Sequence, residues 1–125
     1  MKEKLLNLIN QGERREVELK LAQDELPKNI FETVCAFLNR FGGHIILGVN
    51  DNKEIIGINP EKIKKIKSDF VTTCNNPEKL YPTVYLEIKE EEIDGKLLLY
   101  IFIPESSQVH RVKNRHLHFY QRFYF

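Results

Sequence analysis

Three carboxylates lie where two predicted strands could bring them together. Glu16 and Glu18 alternate with apolar residues, so they share one strand face, and Asp51 follows the next apolar strand. Adjacent strands lie about 4.8 Å apart, so the acids could share a divalent cation if these strands pair. Clustered carboxylates hold Mg²⁺ or Mn²⁺ for phosphodiester chemistry. On pattern alone, however, a solvated strand face of alternating charge is the simpler interpretation.

Cations and aromatic rings are interleaved near the carboxyl end of the sequence. The segment from His110 to Arg122 contains no acid. This composition suits phosphate contact and base stacking. The candidate nucleic-acid contacts are Arg111, Lys113, Arg115, Tyr120 and Arg122, with Phe119 as a second stacking ring. An aromatic-rich hairpin equally suits an interface between copies of the chain, so a homo-oligomer is the competing expectation.

The sequence lacks the residues that other familiar kinds of site require. Gly42-Gly43 follows a predicted helix and precedes a strand, which favours a helix end and a tight turn over a phosphate-binding loop. No Gly-x-x-x-x-Gly-Lys-[Ser/Thr] occurs, so the sequence has no P-loop for ATP. A Ser/His/Asp or Cys/His nucleophile has no support. Zinc at His110, His116 and His118 lacks the usual ligand spacing.

The apolar spacing predicts an α+β (or α/β) domain in which helices flank a mixed β-sheet. The predicted helices span 3–10, 28–41 and 60–74. The predicted strands span 13–21, 44–49, 54–58, 83–89, 97–103, 109–112 and 116–121. Three hairpins follow from this order: one over 44–58, one turning at Asp94-Gly95, and one at the carboxyl end.

Composition sets limits on partners and location. The 125 residues suit one domain, and a net charge of +1 gives no global field for a polyanion, so any nucleic-acid surface must come from local clustering. The longest apolar runs, such as Leu97 to Ile103, are too short to span a membrane, and no signal-peptide pattern opens the chain. Cys35 and Cys74 lack metal-ligand spacing, which favours a reducing cytoplasm while leaving a disulfide open.

Two stretches together resemble the Schlafen AlbA-like domain family. The first, over 12–20, contains Gly12-Glu13 and Glu18-Leu19-Lys20. The second, over 36–51, contains Asn39-Arg40-Phe41-Gly42-Gly43 and Gly48-Val49-Asn50-Asp51, and Ile56-Gly57-Ile58 follows it. A later strand and Arg122 fit more loosely. The resemblance therefore covers nearly the whole chain, and its specific part is 12–58.

This resemblance implies an AlbA-like fold and a nucleic-acid-binding domain. In bacteria and archaea such domains typically form the N-terminal part of transcriptional regulators, and they are often described as helicase-related or as divergent ATPases. One domain over 1–125 is therefore expected, either as the N-terminal fragment of a longer protein or as a short stand-alone member.

Some eukaryotic members of the family cut RNA with three acids. By motif position these correspond to Glu13, Glu18 and Asp51, which would also be the ligands of Mg²⁺ or Mn²⁺. Asn50 stands where the family has the first Asp of a pair, so the metal site is damaged if that position is the ligand. The leading expectation is thus a DNA-binding rather than catalytic domain. A metal-dependent endoribonuclease is the alternative, and a homodimerisation module is the third.

Overall fold

The computed structural model describes residues 1–12, 16–114 and 119–121, with side chains as far as Lys113. This part of the chain folds into three helices and seven strands. The helices are α1 (Lys2–Gln11), α2 (Ile30–Leu38) and α3 (Ile63–Cys74). The strands are β1 (Val17–Lys20), β2 (Gly43–Leu47), β3 (Leu80–Tyr81), β4 (Ile88–Ile93), β5 (Lys96–Ile103), β6 (Arg111–Asn114) and β7 (Phe119–Gln121). The α+β prediction is confirmed.

Four strands form the main sheet, in the order β1-β2-β5-β4. β1 and β2 run parallel, whereas β5 is antiparallel to both β2 and β4, so the sheet is mixed as predicted. α1 packs on one face through Leu5 and Ile9. α2 and α3 pack on the other face through Phe37 and Phe70. Both faces of β2 are therefore covered, which explains its continuous apolar run.

A second, smaller sheet has the order β3-β6-β7 and contains the predicted carboxyl-terminal hairpin. β6 is its central strand, pairing with β3 on one side and with β7 on the other. Leu80 and Val112 are register partners and are both buried in the core that also holds α2 and α3. The small sheet is therefore docked on the domain through one apolar face.

The predicted hairpin over 44–58 is wrong in its second strand. Only an isolated bridge between Val49 and Ile55 forms, and the amides of Ile56 and Gly57 both donate to the carbonyl of Gly48. β2 cannot accept a further strand because β1 and β5 already occupy both its edges. The chain therefore turns away, and the amide of Ile58 donates to Leu97 instead.

Two other strand boundaries differ from the expected ones. The strand expected over 83–89 is β4, displaced toward the carboxyl end, because the turn at Asp94-Gly95 sets its register against β5. Both turn residues have positive φ, as a type I′ turn requires. The strand expected over 13–21 is shorter in the described chain, since β1 begins at Val17 and Glu16 precedes it.

The two thiols are part of the core. Cys35 and Cys74 are buried and form no disulfide, and burial raises the pKa of Cys74 to about 12. A thiol with such a pKa is protonated at neutral pH and is a poor nucleophile or metal ligand. Within the described residues, none of the helices is both long enough and apolar enough to cross a membrane.

Gly42 and Gly43 form the tight turn between α2 and β2 and allow the two elements to pack closely, although α2 ends at Leu38, three residues before the predicted end of the helix. The amide of Gly42 donates to Phe37 over 2.8 Å, and Gly42 has a φ of 77°, where glycine is favoured. A Cβ on Gly43 would lie 2.6 to 2.8 Å from three ring atoms of the buried Phe37. The glycines therefore serve packing rather than phosphate binding.

Replacing Gly43 by alanine should destabilise the domain by forcing α2 away from β2. We expect Gly43→Ala to lower the free energy of unfolding by about 1–3 kcal/mol, the usual cost of overpacking a core. Urea denaturation measures this change. Ser68→Ala, at an exposed position on α3, is the matched control. Equal stability of the two variants would contradict the packing role.

Candidate nucleic-acid interface

The exposed side of the small sheet carries a cluster of cations. Arg111 and Lys113 are exposed on β6, while Val112 between them is buried, so the two cations share the outward face of the strand. Both were predicted from the sequence as nucleic-acid contacts. Arg115 and Arg122, predicted for the same role, lie outside the described residues.

β3 and the residue before it extend this face. Tyr81 is the register partner of Arg111, and the amide of Lys113 donates to the carbonyl of Lys79 over 3.0 Å. Lys79 is exposed, Tyr81 is 54% exposed, and Leu80 between them is fully buried. The alternation therefore places Lys79 and Tyr81 on the outward side of the sheet, next to the cations of β6. We call these residues, Lys79, Tyr81, Arg111 and Lys113, the basic face.

The cations of the basic face have no ion-pair partner among the described carboxylates. Lys79 and Lys113 lie opposite each other, where like charges are destabilising. Across residues 1–12 and 16–113, no carboxylate forms an ion pair with Lys79, Arg111 or Lys113. By contrast, lysines of helix α3 form ion pairs. Lys65 Nζ lies 2.8 Å from Asp69 Oδ2, and Lys67 Nζ lies 3.5 Å from Glu90 Oε2. An anion bound at the basic face would therefore meet cations that no described carboxylate pairs with.

A buried hydrogen-bond network fixes the start of β6 against α2. The backbone N–H of His110 donates to Asn39 Oδ1 over 2.6 Å, and its carbonyl accepts from Asn39 Nδ2 over 2.9 Å. The thiol of Cys35 donates to the same carbonyl over 3.0 Å. Asn39 thus pairs with the backbone of residue 110 as a neighbouring strand would. This arrangement gives a physical reason for the Asn of the Asn-x-x-Gly-Gly motif.

The ring of His110 is also fully engaged. Nδ1 lies 2.8 Å from the carbonyl oxygen of Pro82, which can only accept, so Nδ1 carries a proton. Nε2 lies 2.7 Å from Ser106 Oγ, and His110 is 2% exposed. His110 therefore joins the β3–β4 connection to the β5–β6 connection. It is a structural residue and not a surface contact or metal ligand.

The two strands on which the metal hypothesis rests are neighbours in the sheet, although Glu18 is the one described acid of the set that lies on a strand. β1 and β2 pair, as the metal hypothesis required, with Glu18 opposite Ile45. Glu18 Oε1 lies 3.5 Å from Lys20 Nζ, which also donates to Asn29 Oδ1 over 3.0 Å. The carboxylate of Glu18 is therefore already compensated by a cation, which weakens its fit to a metal site.

The turn after β2 contains the other described acid of the predicted set. Asp51 is exposed in this turn. Asn50 Oδ1 accepts from the amides of Asn52 and Glu54, both over 2.9 Å, so Asn50 stabilises the turn. Among the residues that the structure describes, no three His, Cys, Asp or Glu side chains form a group able to hold a metal. Glu13 lies outside those residues, so the set Glu13, Glu18 and Asp51 stays a prediction.

Sequence reasoning missed Lys79 and Tyr81. The segment between Pro77 and Pro82 is short and was assigned to no strand. Its only signal was the alternation of polar, apolar and polar residues in Lys79-Leu80-Tyr81. Tyr120, which was predicted, is the register partner of Lys113 on β7, although its side chain lies outside the described part.

Comparison with known proteins identifies one family and the same fold elsewhere. The family model described as Schlafen, AlbA_2 matches residues 13–124. The solution structure of the N-terminal domain of an ATP-dependent DNA helicase RecG-related protein from Nitrosomonas europaea is 26% identical, with a TM-score of 0.67 over 98% of this chain and 86% of that chain. A crystal structure from Corynebacterium diphtheriae is 14% identical, with a TM-score of 0.60 over 89% of this chain and 23% of that chain. The second match shows the fold alone.

Proposed function

Because the chain belongs to the Schlafen AlbA_2 family, we propose that it is a nucleic-acid-binding domain that contacts its ligand through the basic face. One observation carries this proposal. Lys79, Arg111 and Lys113 share the exposed side of one small sheet, and no described carboxylate is ion-paired to any of them. A phosphate backbone supplies the compensating charge.

The binding mode is electrostatic. Lysine and arginine neutralise phosphates and release condensed counterions, which gives affinity with little sequence preference. Tyr81 lies beside Arg111 and presents an exposed ring and hydroxyl to the ligand. Arg115, Tyr120 and Arg122 extend the contact along the β6–β7 hairpin in this proposal.

Salt dependence tests the proposal directly. About four or five phosphate contacts predict that log K for a duplex falls against log salt concentration with a slope between about −3.6 and −4.5. Fluorescence anisotropy with labelled duplexes, titrated at several NaCl concentrations, measures this slope. A slope near zero, or the absence of binding to DNA and RNA in low salt, would contradict the proposal.

We further propose DNA as the main ligand, a role in transcriptional regulation, and a cytoplasmic location. The support for DNA and regulation is the family resemblance, and one similar structure comes from a DNA helicase RecG-related protein. Two buried thiols that form no disulfide suit a reducing compartment. Parallel titrations with duplex DNA and duplex RNA of equal sequence decide the first point, since equal affinities would remove the preference for DNA.

Homodimerisation through the carboxyl-terminal hairpin is compatible with this function. β7 lies at the edge of the small sheet among the described strands, and an edge strand can pair with another chain. Two copies would join two basic faces into one longer surface. Light scattering coupled to gel filtration tests the dimer, and a monomeric mass that deletion of 119–125 leaves unchanged would remove it.

A metal-dependent endoribonuclease is the alternative function. It is favoured by the parallel pairing of β1 with β2, which brings the strand of Glu18 beside the strand that leads to Asp51. Glu13, Glu18 and Asp51 would hold Mg²⁺ or Mn²⁺, whose Lewis acidity activates phosphodiesters.

The nuclease hypothesis makes a separate prediction. If it holds, the protein cleaves a structured RNA in Mn²⁺, and Glu18→Gln abolishes cleavage because it removes a ligand charge. Glu61→Gln, at an exposed position before α3, is the control and should cleave normally. Absence of Mn²⁺-dependent cleavage, or full activity of Glu18→Gln on gel assays, would remove this alternative.

A further inference from the structure

A groove lies on the α1 side of the main sheet. It encloses about 440 Å³, a volume in the range of small-ligand sites. Its lining includes Lys4, Tyr85, Glu87, Lys89, Tyr100 and Phe102, and we call this surface the aromatic groove. Tyr100 is 3% exposed and packs in the core under α1. Phe102, two residues further along β5, lies on the same face but is 53% exposed.

The ring of His44 supports two rings of the aromatic groove, stacked on Tyr100 and tilted against Phe102. The centroid of the His44 ring lies 5.9 Å from that of Tyr100 and 5.6 Å from that of Phe102. His44 Nδ1 lies 2.8 Å from the Tyr100 hydroxyl oxygen. Burial, and secondarily the charge of Lys4, lower the pKa of His44, although Glu16 opposes this. The imidazole is therefore neutral at neutral pH. Phe102 therefore rests on an uncharged ring, and it is the exposed ring of this group.

Two cations border these rings. Lys4 Nζ lies 5.2 Å from the centroid of the Tyr100 ring, which is cation–π distance, and it forms no ion pair within the described residues. Lys89 is 3.6 Å from Glu87 in an exposed pair, which contributes little and is easily exchanged. Tyr85 is 75% exposed. Exposed rings beside lysines match the two parts of a nucleotide, a base that stacks and a phosphate.

The aromatic groove lies close to the basic face along the chain. Tyr85 follows Tyr81 by four residues, so their Cα atoms are at most about 14 Å apart. A distance of this size is within the reach of one nucleic-acid strand. A second protein copy would instead have to bury Lys4 and Lys89 under its own surface, which is costly without matched acids.

We infer that the aromatic groove binds an unpaired base of the nucleic acid whose backbone contacts the basic face. The inference rests on the proposed function and adds a preference to it. Paired bases cannot enter the groove, so single strands and frayed or overhanging ends bind better than blunt duplexes. Phe102 and Tyr85 supply the stacking surface, and Lys4 neutralises the phosphate next to the stacked base.

A tryptophan probe tests the stacking. The chain has no Trp, so Phe102→Trp places a single indole in the groove and keeps a ring there. We expect a single-stranded oligonucleotide to quench its fluorescence and a blunt duplex to leave it unchanged. Phe41→Trp, at a residue that is 69% exposed outside the groove lining, is the control and should not respond. Equal quenching of both variants by both ligands would overturn the inference.

Affinity measurements separate the groove from the basic face. Phe102→Ala combined with Tyr85→Ala should weaken single-strand binding at least about 10-fold, the effect of one lost stacked base, and change blunt-duplex binding less than about twofold. If the double variant binds single strands as tightly as the unmodified protein, the role of the aromatic groove is overturned and the proposed function is not. Absence of binding to either ligand by the unmodified protein would overturn both. The inference would also be overturned if the double substitution changed the mass of the protein in solution and not its affinity for single strands. Tight binding of a free mononucleotide that Arg111→Ala leaves unaffected would overturn it as well.

Discussion

Replacing Lys79, Arg111 and Lys113 together by alanine is expected to weaken duplex binding about 10²-fold at 0.1 M salt. Each lost phosphate contact reduces the salt slope by about 0.9, so the slope should become shallower by nearly three. Anisotropy titrations of the variant and the unmodified protein at matched salt concentrations give both numbers. The melting temperature should not fall, because the substitutions also remove repulsion between Lys79 and Lys113.

The matched control removes the same net charge elsewhere. Lys28, Lys62 and Lys64 are exposed, and all three can be replaced by alanine without touching the small sheet. If the ligand responds only to net charge, both triple variants lose affinity equally. That result would contradict a localised interface. A loss confined to the first variant would support the basic face.

Asn39→Ala is expected to lower the free energy of unfolding by about 1–3 kcal/mol. The substitution strips the buried N–H of His110 of its acceptor and takes away one of the two donors to its carbonyl. Because β6 begins at the next residue, nucleic-acid affinity should fall with stability although Asn39 contacts no ligand. Urea denaturation and anisotropy titrations on the same samples measure the two effects.

Two further variants make this prediction specific. Asn39→Asp keeps the acceptor for the His110 N–H but places a carboxylate against a carbonyl oxygen, so it should be at least as destabilising as alanine. Asn7→Ala, at an exposed position of α1, should leave stability nearly unchanged. An Asn39→Ala variant as stable as Asn7→Ala would show that the network does not fix β6.

The long periodic elements could be predicted from the sequence because their pattern is local. α2, α3 and β5 each carry enough apolar residues at regular spacing to define their type. The strand expected over 54–58 could not be rejected in this way, since its absence depends on β1 and β5 occupying both edges of β2. The two-residue β3 depends similarly on β6, which lies 30 residues later.

The residues of the candidate site also fall into those that local sequence predicts and those that only distant pairing brings together. Arg111 and Lys113 were found because cations cluster in sequence around them. Lys79 and Tyr81 join them only through strand pairing, and Asn39 acts on a residue 71 positions away. For the acids, the pairing of the adjacent strands β1 and β2 was expected and is observed. The ion pair of Glu18 with Lys20 and the hydrogen bonds of Asn50 within the turn then gave those residues structural partners.

The central position of β6 in the small sheet also bears on how the protein is made. β5 ends at Ile103, so the main sheet can be complete on the ribosome before β6 has left the exit tunnel. Lys79 and Tyr81 are synthesised about 30 residues before the strand that aligns them. During that interval a nascent chain has a folded body with no aligned cationic surface. Contact with nucleic acid through the basic face therefore requires translation to have passed Lys113.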